Sequence, residues 1–231
     1  RGWTRALSGA LLAAACAPAL AGPEGAQVVR GNVRIERDGA NTLIHAGRNS
    51  IINYRSFDIA SSESVRFVQP DAASRVLNRI NSAAPTRIDG SLMANGRVYI
   101  INPAGVMFGN GASVNVTGLY AAAGNLSNAD FVRGINNFTN LKGTVRNEGT
   151  ITANFVGLLG RHVENLGSIV ATGGTVVMAS GDEVMVGKQR GNIYVKIKSD
   201  GAQAAGVGTD NAGTIDATRG RVVMGAGDMY A

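Results

Sequence analysis

Apolar residues in this chain recur mainly at every second position, in short runs bounded by glycine, asparagine and proline. The stretches NVRIER, NTLIHA and SVRFVQP all alternate in this way. In 96–116, GRVYIINPAGVMFGNGASVNV, two apolar runs are broken first by Pro-Ala-Gly and then by Gly-Asn-Gly. Runs this short with a period of two are typical of strands rather than helices. The pattern therefore predicts an all-β fold made of many short strands and tight turns.

A repeat organises the second half of the chain. The segments NEGTITA, NLGSIVA and NAGTIDA share the form N-x-G-[TS]-I-x-A and begin at Asn147, Asn165 and Asn211. The last two continue as TGGTVVMASGD and TRGRVVMGAGD. Repeats of this length indicate stacked units, and their period-two strands favour the coils of a parallel β-helix. We expect the three asparagines at stacked corners, hydrogen-bonded between coils, with residues such as Ile169 and Val177 pointing inward.

The spacing between repeats is uneven, because the first two asparagines are 18 residues apart and the next two are 46 apart. Between them, EVMV and IYVKIK flank the turn-like segment GKQRGN. This arrangement predicts a β-hairpin, at about 182–200, that projects from the coil stack. One further coil of atypical sequence is the alternative.

The N-terminal stretch RGWTRALSGALLAAACAPALAGPEG has two arginines, a short apolar region and a small-x-small site. These are the parts of a secretory signal peptide, here predicted as residues 1–21 with cleavage after Ala21. A lipoprotein signal ending at Cys16 is the alternative. Either way we expect an exported protein. Cleavage after Ala21 removes the one cysteine of the chain, so no disulfide is expected in the mature protein.

Composition excludes several classes of function. The formal net charge is +6, and the basic residues form no cluster, so we expect no nucleic-acid partner. No later apolar run approaches about 18 residues, which argues against an integral membrane protein. The two histidines, His45 and His162, have no metal-like spacing. The candidate acids are scattered along the chain: Asp58, Glu63, Asp182 and Glu183. We therefore expect no enzyme activity, no metal site and no cofactor.

Several separate motifs resemble one family. NSIINYRSFDIASSESVRFVQP, VLNRI and IDGSLMANGRVYIINPAGVMFGNGASVNVTGLYAA occur in order between about residues 27 and 125. Together they closely resemble the N-terminal secretion domain of filamentous haemagglutinin-like exoproteins of two-partner secretion systems. The resemblance implies a right-handed parallel β-helix, for which we expect an N-terminal cap at about 22–45. It also implies recognition by the periplasmic domains of a cognate outer-membrane β-barrel transporter in a Gram-negative-type bacterium.

The family's Asn-Pro-Asn-Gly-Ile signature maps onto five consecutive residues: Asn102, Pro103, Ala104, Gly105 and Val106. Alanine replaces the second asparagine, and valine replaces isoleucine. Alanine has no side-chain oxygen that could support a turn. Two interpretations of this segment stay open. In one it builds a tight corner near the cap, and in the other the transporter recognises it.

We therefore expect residues 22–231 to be the secretion domain of a longer, secreted or surface-bound exoprotein. The domain would direct the chain to its transporter and nucleate β-helix folding at the cell surface. The complete protein is expected to be an adhesin that contacts a host receptor or glycan. Two alternatives remain: the N-terminal part of a contact-dependent toxin, and an autotransporter passenger.

Overall fold

Residues 22–199 and 208–230 are described by the computed structural model. The predicted signal peptide and its cleavage site at Ala21 lie outside these residues, as does Asp200 at the end of the predicted hairpin. Strands dominate the described part of the chain, whose one helix, α1, runs Asn128–Arg133. That helix is far shorter than a membrane span, and no described helix is long and apolar enough to cross a bilayer.

The first twelve strands, in chain order, are β1 Gln27–Arg30, β2 Val33–Asp38, β3 Asn41–Ala46, β4 Ser50–Tyr54, β5 Ser64–Val68, β6 Arg75–Ile80, β7 Thr86–Ile88, β8 Ser91–Ile101, β9 Val106–Phe108, β10 Ser113–Ala122, β11 Asn125–Leu126 and β12 Asn136–Thr139. The next twelve are β13 Thr144–Asn147, β14 Thr150–Thr152, β15 Phe155–Gly160, β16 His162–Asn165, β17 Ser168–Val170, β18 Thr175–Ser180, β19 Glu183–Gln189, β20 Asn192–Lys198, β21 Gly208–Asn211, β22 Thr214–Asp216, β23 Arg221–Ala226 and β24 Met229–Tyr230.

The strands wind into coils with three parallel faces. Face 1 stacks β3, β5, the first half of β8, the first half of β10, β14, β17 and β22. Face 2 stacks β4, β6, the second halves of β8 and β10, β15, β18 and β23. Face 3 stacks β7, β9, β13, β16 and β21. The predicted parallel β-helix is confirmed.

The sequence repeat corresponds to one turn of this helix. Asn147 pairs with Asn165, which pairs with Asn211, so equivalent repeat positions lie directly above one another. The 46-residue spacing is one coil plus an insertion. The insertion contains the predicted hairpin: β19 and β20 are antiparallel, and Gln189 pairs with Asn192 beside the turn.

The described hairpin of the insertion packs back onto the coils. β19 and β20 join β11, β12 and β24 in a five-stranded sheet, the outer sheet, which lies beside face 2. The coil interior holds one apolar cluster, and a second cluster fills the space between face 2 and the outer sheet. Val177 belongs to the second cluster, so the expectation that it points inward is wrong. Its neighbours Val176 and Met178 point inward instead, because side chains alternate along a strand.

Antiparallel strands begin the stack. β1 pairs with β4, and β2 pairs with β3. Within the range predicted for the cap, β3 also pairs in parallel with β5 and is therefore part of the first coil. The strands that pair only in antiparallel fashion, β1 and β2, thus end at Asp38. These strands occupy N–H and C=O groups of the first coil that would otherwise be free to pair with another chain.

Two register partners allow a test of interior burial. Val176 of β18 is fully buried, whereas Val222, its partner in β23, is 43% exposed in the last described coil. We expect Val176→Ala to lower the free energy of unfolding by about 2–3 kcal/mol, because it removes buried methyl groups and leaves a cavity. Val222→Ala should cost less than about 1 kcal/mol. Denaturant unfolding followed by circular dichroism measures both; equal costs would contradict a closed interior at Val176.

Candidate recognition corner and asparagine ladder

The signature segment forms a tight corner between β8 and β9. The Gly105 N–H donates to the Asn102 carbonyl oxygen at 3.0 Å, which closes a four-residue turn. The Asn102 side chain reinforces the turn, because its Oδ1 accepts from the Ala104 N–H at 3.0 Å. Its Nδ2 donates to the Ala84 carbonyl at 3.0 Å and to Thr86 Oγ1 at 3.1 Å. Asn102 therefore ties this corner to the preceding coil.

The glycine of the signature is required by two features of its surroundings. Gly105 has φ +128°, a conformation that side-chain-bearing residues rarely adopt, and a Cβ there would lie 2.9 Å from the Thr144 carbonyl oxygen of the next coil. Gly143 faces the same corner from that coil, since a Cβ there would lie 2.8 Å from the Pro103 carbonyl oxygen. The backbones of two successive coils are thus in contact at this corner.

Burial divides the five signature residues into two groups. Asn102 and Val106 are buried, as is the backbone of Gly105. Pro103 is exposed and Ala104 is half-buried, so these two are the residues that the folded corner presents to solvent. In this chain the side-chain acceptor of the turn is Asn102 Oδ1, which receives the Ala104 N–H.

The repeat asparagines stack as a ladder on face 3. Asn147 Nδ2 donates to Asn165 Oδ1 at 2.7 Å, and Asn165 Nδ2 donates to Asn211 Oδ1 at 2.6 Å. Asn147 and Asn165 are fully buried, whereas Asn211 is exposed. Each buried amide thus satisfies its neighbour, which removes most of the cost of placing polar groups inside the coil.

The glycine two positions after each asparagine is fixed by the same stacking. A Cβ on Gly167 would lie 2.2 Å from the Gly149 carbonyl oxygen, and one on Gly213 would lie 2.1 Å from the Gly167 carbonyl oxygen. No side chain fits between carbonyls stacked this closely. The N-x-G motif therefore combines an amide that links coils with a glycine that lets them approach.

A cluster that sequence spacing did not reveal lies beside the ladder. His162 Nε2 is 2.7 Å from Glu164 Oε1 and 3.8 Å from Asp210 Oδ2, an acid 48 residues away in sequence. Register brings them together, since β16 pairs with β21. Arg146 also contacts Glu164, at 3.1 Å. The hydrogen bond from His162 is the main cause that lowers the pKa of the Glu164 carboxyl. His162, Glu164 and Asp210 each offer a ligand atom within 4.8 Å of the others, and Arg146 pairs with the Glu164 carboxylate of the same group.

The other candidate acids each have a separate partner. Asp58 accepts from the Arg87 N–H at 2.7 Å, and Glu63 accepts from the Ala60 N–H at 2.9 Å. Asp182 pairs with Arg161, and Glu183 pairs with Lys198 at 3.0 Å. The structure does not bring the four acids to one site. His45 lies apart from His162, on β3.

The corner predicts a strong response to one added methyl group. Gly105→Ala should lower the free energy of unfolding by about 2–4 kcal/mol, since it meets both an unfavourable φ and a backbone carbonyl. Gly173→Ala is the matched control: Gly173 has φ +69° with open space around it, and its repeat equivalent Arg219 adopts φ 60°. That variant should lose only about 1 kcal/mol. Urea unfolding compares them, and equal losses would argue against close approach at the corner.

The ladder predicts a difference between two asparagines. Asn165→Ala should cost about 1–3 kcal/mol in unfolding free energy, because it removes two inter-coil hydrogen bonds and strands buried polar groups. Asn211→Ala, at the exposed end of the ladder, should cost less than about 0.5 kcal/mol. Chemical denaturation monitored by circular dichroism measures both values. A larger loss for Asn211 than for Asn165 would contradict this account.

Comparisons with known proteins agree with this architecture. The family model described as "TPS secretion domain" matches residues 19–228. The crystal structure of the HMW1 secretion domain from Haemophilus influenzae superimposes with a TM-score of 0.81 at 30% identity, covering 87% of this chain and 55% of that one.

Two curated sequences from Haemophilus influenzae, both named Heme/hemopexin-binding protein, are similar to this chain. One is 34% identical over 195 residues, or 79% of this chain and 22% of the relative, and the other is 37% identical over 106 residues, or 45% of this chain and 11% of the relative. The chain thus spans about a fifth of the length of the first relative. Because the family model covers nearly the whole chain, and the fold of the HMW1 secretion domain matches as well, this chain belongs to the TPS secretion domain family.

Proposed function

We propose that this domain directs an exoprotein to a cognate outer-membrane transporter and then starts the folding of its β-helix outside the cell. TPS exoproteins are secreted by way of the periplasm, and family membership supports the export role. The observation that carries the mechanism is the burial of the signature corner, where Asn102 and Val106 are inaccessible in the folded domain. The transporter therefore reads this segment while the chain is still extended.

The fold favours a chain that remains extended in the periplasm. Every coil strand pairs with residues one or more coils away in sequence, as between β10 and β14 or β16 and β21. Such non-local parallel pairing is slow to form. An extended chain can also pair with an exposed strand edge of the transporter's periplasmic domains. Recognition by strand addition uses the backbone and therefore tolerates the change from asparagine to alanine at position 104.

The capped first coil supports a directional order of folding. Once β1 and β2 cover β4 and β3, each new coil adds strands to the opposite edge and buries its aliphatic side chains on the coil before it. Each buried valine or isoleucine contributes about 1.5–3 kcal/mol. This gain opposes backward movement through the pore and requires no nucleotide.

The four candidate acids, Asp58, Glu63, Asp182 and Glu183, each have a separate partner. This supports a role without catalysis for a member of a family of secretion domains.

The role of the complete exoprotein is a further proposal. We favour a surface adhesin, as the resemblance to filamentous haemagglutinin-like exoproteins implies. The curated relatives favour a second candidate, since their name states that they bind heme or hemopexin. This chain spans only a small part of those relatives, so the match itself does not assign such binding to this domain.

Recognition of the extended chain can be tested with the purified periplasmic domains of the cognate transporter. Chain kept unfolded in urea is diluted over the immobilised domains, and its binding is compared with that of refolded chain by biolayer interferometry. We expect the extended chain to bind roughly tenfold more tightly or better, because folding sequesters the segment that is read. Tighter binding by the folded chain would overturn the proposal.

Asn102→Ala separates the structural role of the signature from direct reading of its side chain. The substitution should lower folded stability by about 1–3 kcal/mol, since it removes buried hydrogen bonds. It should leave binding of the extended chain within roughly twofold, because strand addition uses the backbone. Ala104→Asn, at the half-exposed position, should change neither quantity appreciably. Loss of extended-chain binding by Asn102→Ala would assign the side chain to recognition instead.

A further inference from the structure

A groove runs along the β-helix between the outer sheet and the corner that joins faces 1 and 2. Its volume is about 790 Å³. One wall is a column of register partners from successive coils: Arg97, Gly118, Phe155, Thr175 and Arg221. With a rise of about 4.8 Å per coil, four steps make this wall roughly 19 Å long. The other wall is the hairpin end of β19 and β20.

The groove is lined by four cationic side chains and by no carboxylate. Arg97 lies at one end, and Lys188, Arg219 and Arg221 lie at the other. All four are exposed, and among the described residues none is paired with an acid. Elsewhere many arginines are paired, so the unpaired cations here make the groove a local positive field.

The two arginines in the column each contact a neighbouring part of the fold. The stem of Arg97 lies across Gly118 of the next coil, where a Cβ would be 3.2 Å from Arg97 Cγ. Arg221 Nη1 donates to the Ile193 carbonyl oxygen at 3.1 Å, which links the last described coil to the hairpin. The Arg97 stem thus lies on the coil while its guanidinium reaches solvent, and Arg221 keeps further donors free beside its one hydrogen bond.

An aromatic floor separates the cationic ends. The rings of Tyr120 and Phe155 lie 4.6 Å apart, and Phe155 is half-exposed in the groove. Asn136, which also lines the groove, donates from Nδ2 to the Tyr120 hydroxyl at 3.2 Å. Asn154 and Asn192 line the same groove, and their side-chain amides make no hydrogen bond to other described residues. Free amides, a ring face and separated cations suit a ligand with hydroxyls, C–H faces and widely spaced anions.

From these features we infer that the groove binds an extended acidic oligosaccharide, with Arg97 and Arg221 each binding a carboxylate or sulfate and Phe155 supporting a sugar ring. An extended peptide fits less well, because the corner column offers no free strand edge to pair with. A single-stranded nucleic acid fits less well, because Phe155 is half-exposed and Tyr120 is buried, so the groove offers no row of aromatic faces on which successive bases could stack. The inference concerns the folded domain and does not depend on how the transporter recognises the extended chain.

The test uses isothermal titration calorimetry on the purified chain at physiological ionic strength. The probes are a sulfated heparin octasaccharide, a polygalacturonate octasaccharide that carries carboxylates alone, a neutral dextran oligosaccharide and oligo-dT. We expect at least one acidic probe to bind, and the sulfated and carboxylated arms identify the preferred anion. Dextran should not bind measurably. Tighter binding of oligo-dT than of both acidic glycans, or no binding of either glycan, would overturn the inference.

Matched variants locate the binding. The double variant Arg97→Gln with Arg221→Gln keeps the stems and should weaken glycan binding by roughly tenfold or more. The control Arg66→Gln with Lys142→Gln removes the same charge at exposed, acid-free positions outside the groove and should change Kd by less than roughly twofold. Phe155→Leu keeps an apolar side chain but removes the ring, and should weaken binding by roughly threefold to tenfold. Circular dichroism checks that each variant is folded. Equal weakening by both double variants would indicate diffuse charge and contradict a groove site.

Discussion

The close approach of backbone to backbone at the corners of successive coils is the constraint on which this fold depends. Parallel strands about 4.8 Å apart must continue in register through every turn, so a corner has room for little beyond main chain. Gly149, Gly167 and Gly213 meet this requirement by stacking carbonyl against α-carbon. The asparagine two residues earlier then supplies the polar link that an apolar corner would lack. Register, burial of the aliphatic rows and the ladder all follow from this arrangement.

A β-helix buries only the inner half of each strand, and the outer half must be solvated or covered. Here face 2 is apolar on both sides, with Val176 inside and Val177 outside. The outer sheet covers the second side. This sheet, to which the insertion contributes β19 and β20, is a packed layer over the second apolar cluster, and the space beside it at the coil corner is the basic groove. The apolar outer side of face 2 therefore accounts for both the outer sheet and the groove.

The signature corner is the segment at which the proposed export route meets the folding of the domain. In the folded domain the Asn102 side chain is hydrogen-bonded to the coil before it, and Gly105 lies against the backbone of the coil after it. Backbone and side-chain groups that are bonded in this way are not free for a partner in the folded domain. In the export route proposed above, recognition and folding therefore use the same stretch of chain one after the other: the transporter binds first, and the coil closes afterwards.

Much of this protein was determined by its sequence alone. Period-two runs and the N-x-G repeat were sufficient for the coil stack and the stacked asparagines, because these depend on local spacing that stacking repeats without change. The 46-residue spacing favoured the hairpin but left one further coil as an alternative. The tertiary structure decided the features that depend on which residues of neighbouring coils come together. It placed Val177 outside the coil, brought Asp210 to His162 and aligned Arg97 with Arg221. The physical reason is that alternation tells which residues share a side of a strand, whereas the side that faces the interior, and the partners across coils, are set only when the whole stack is in register.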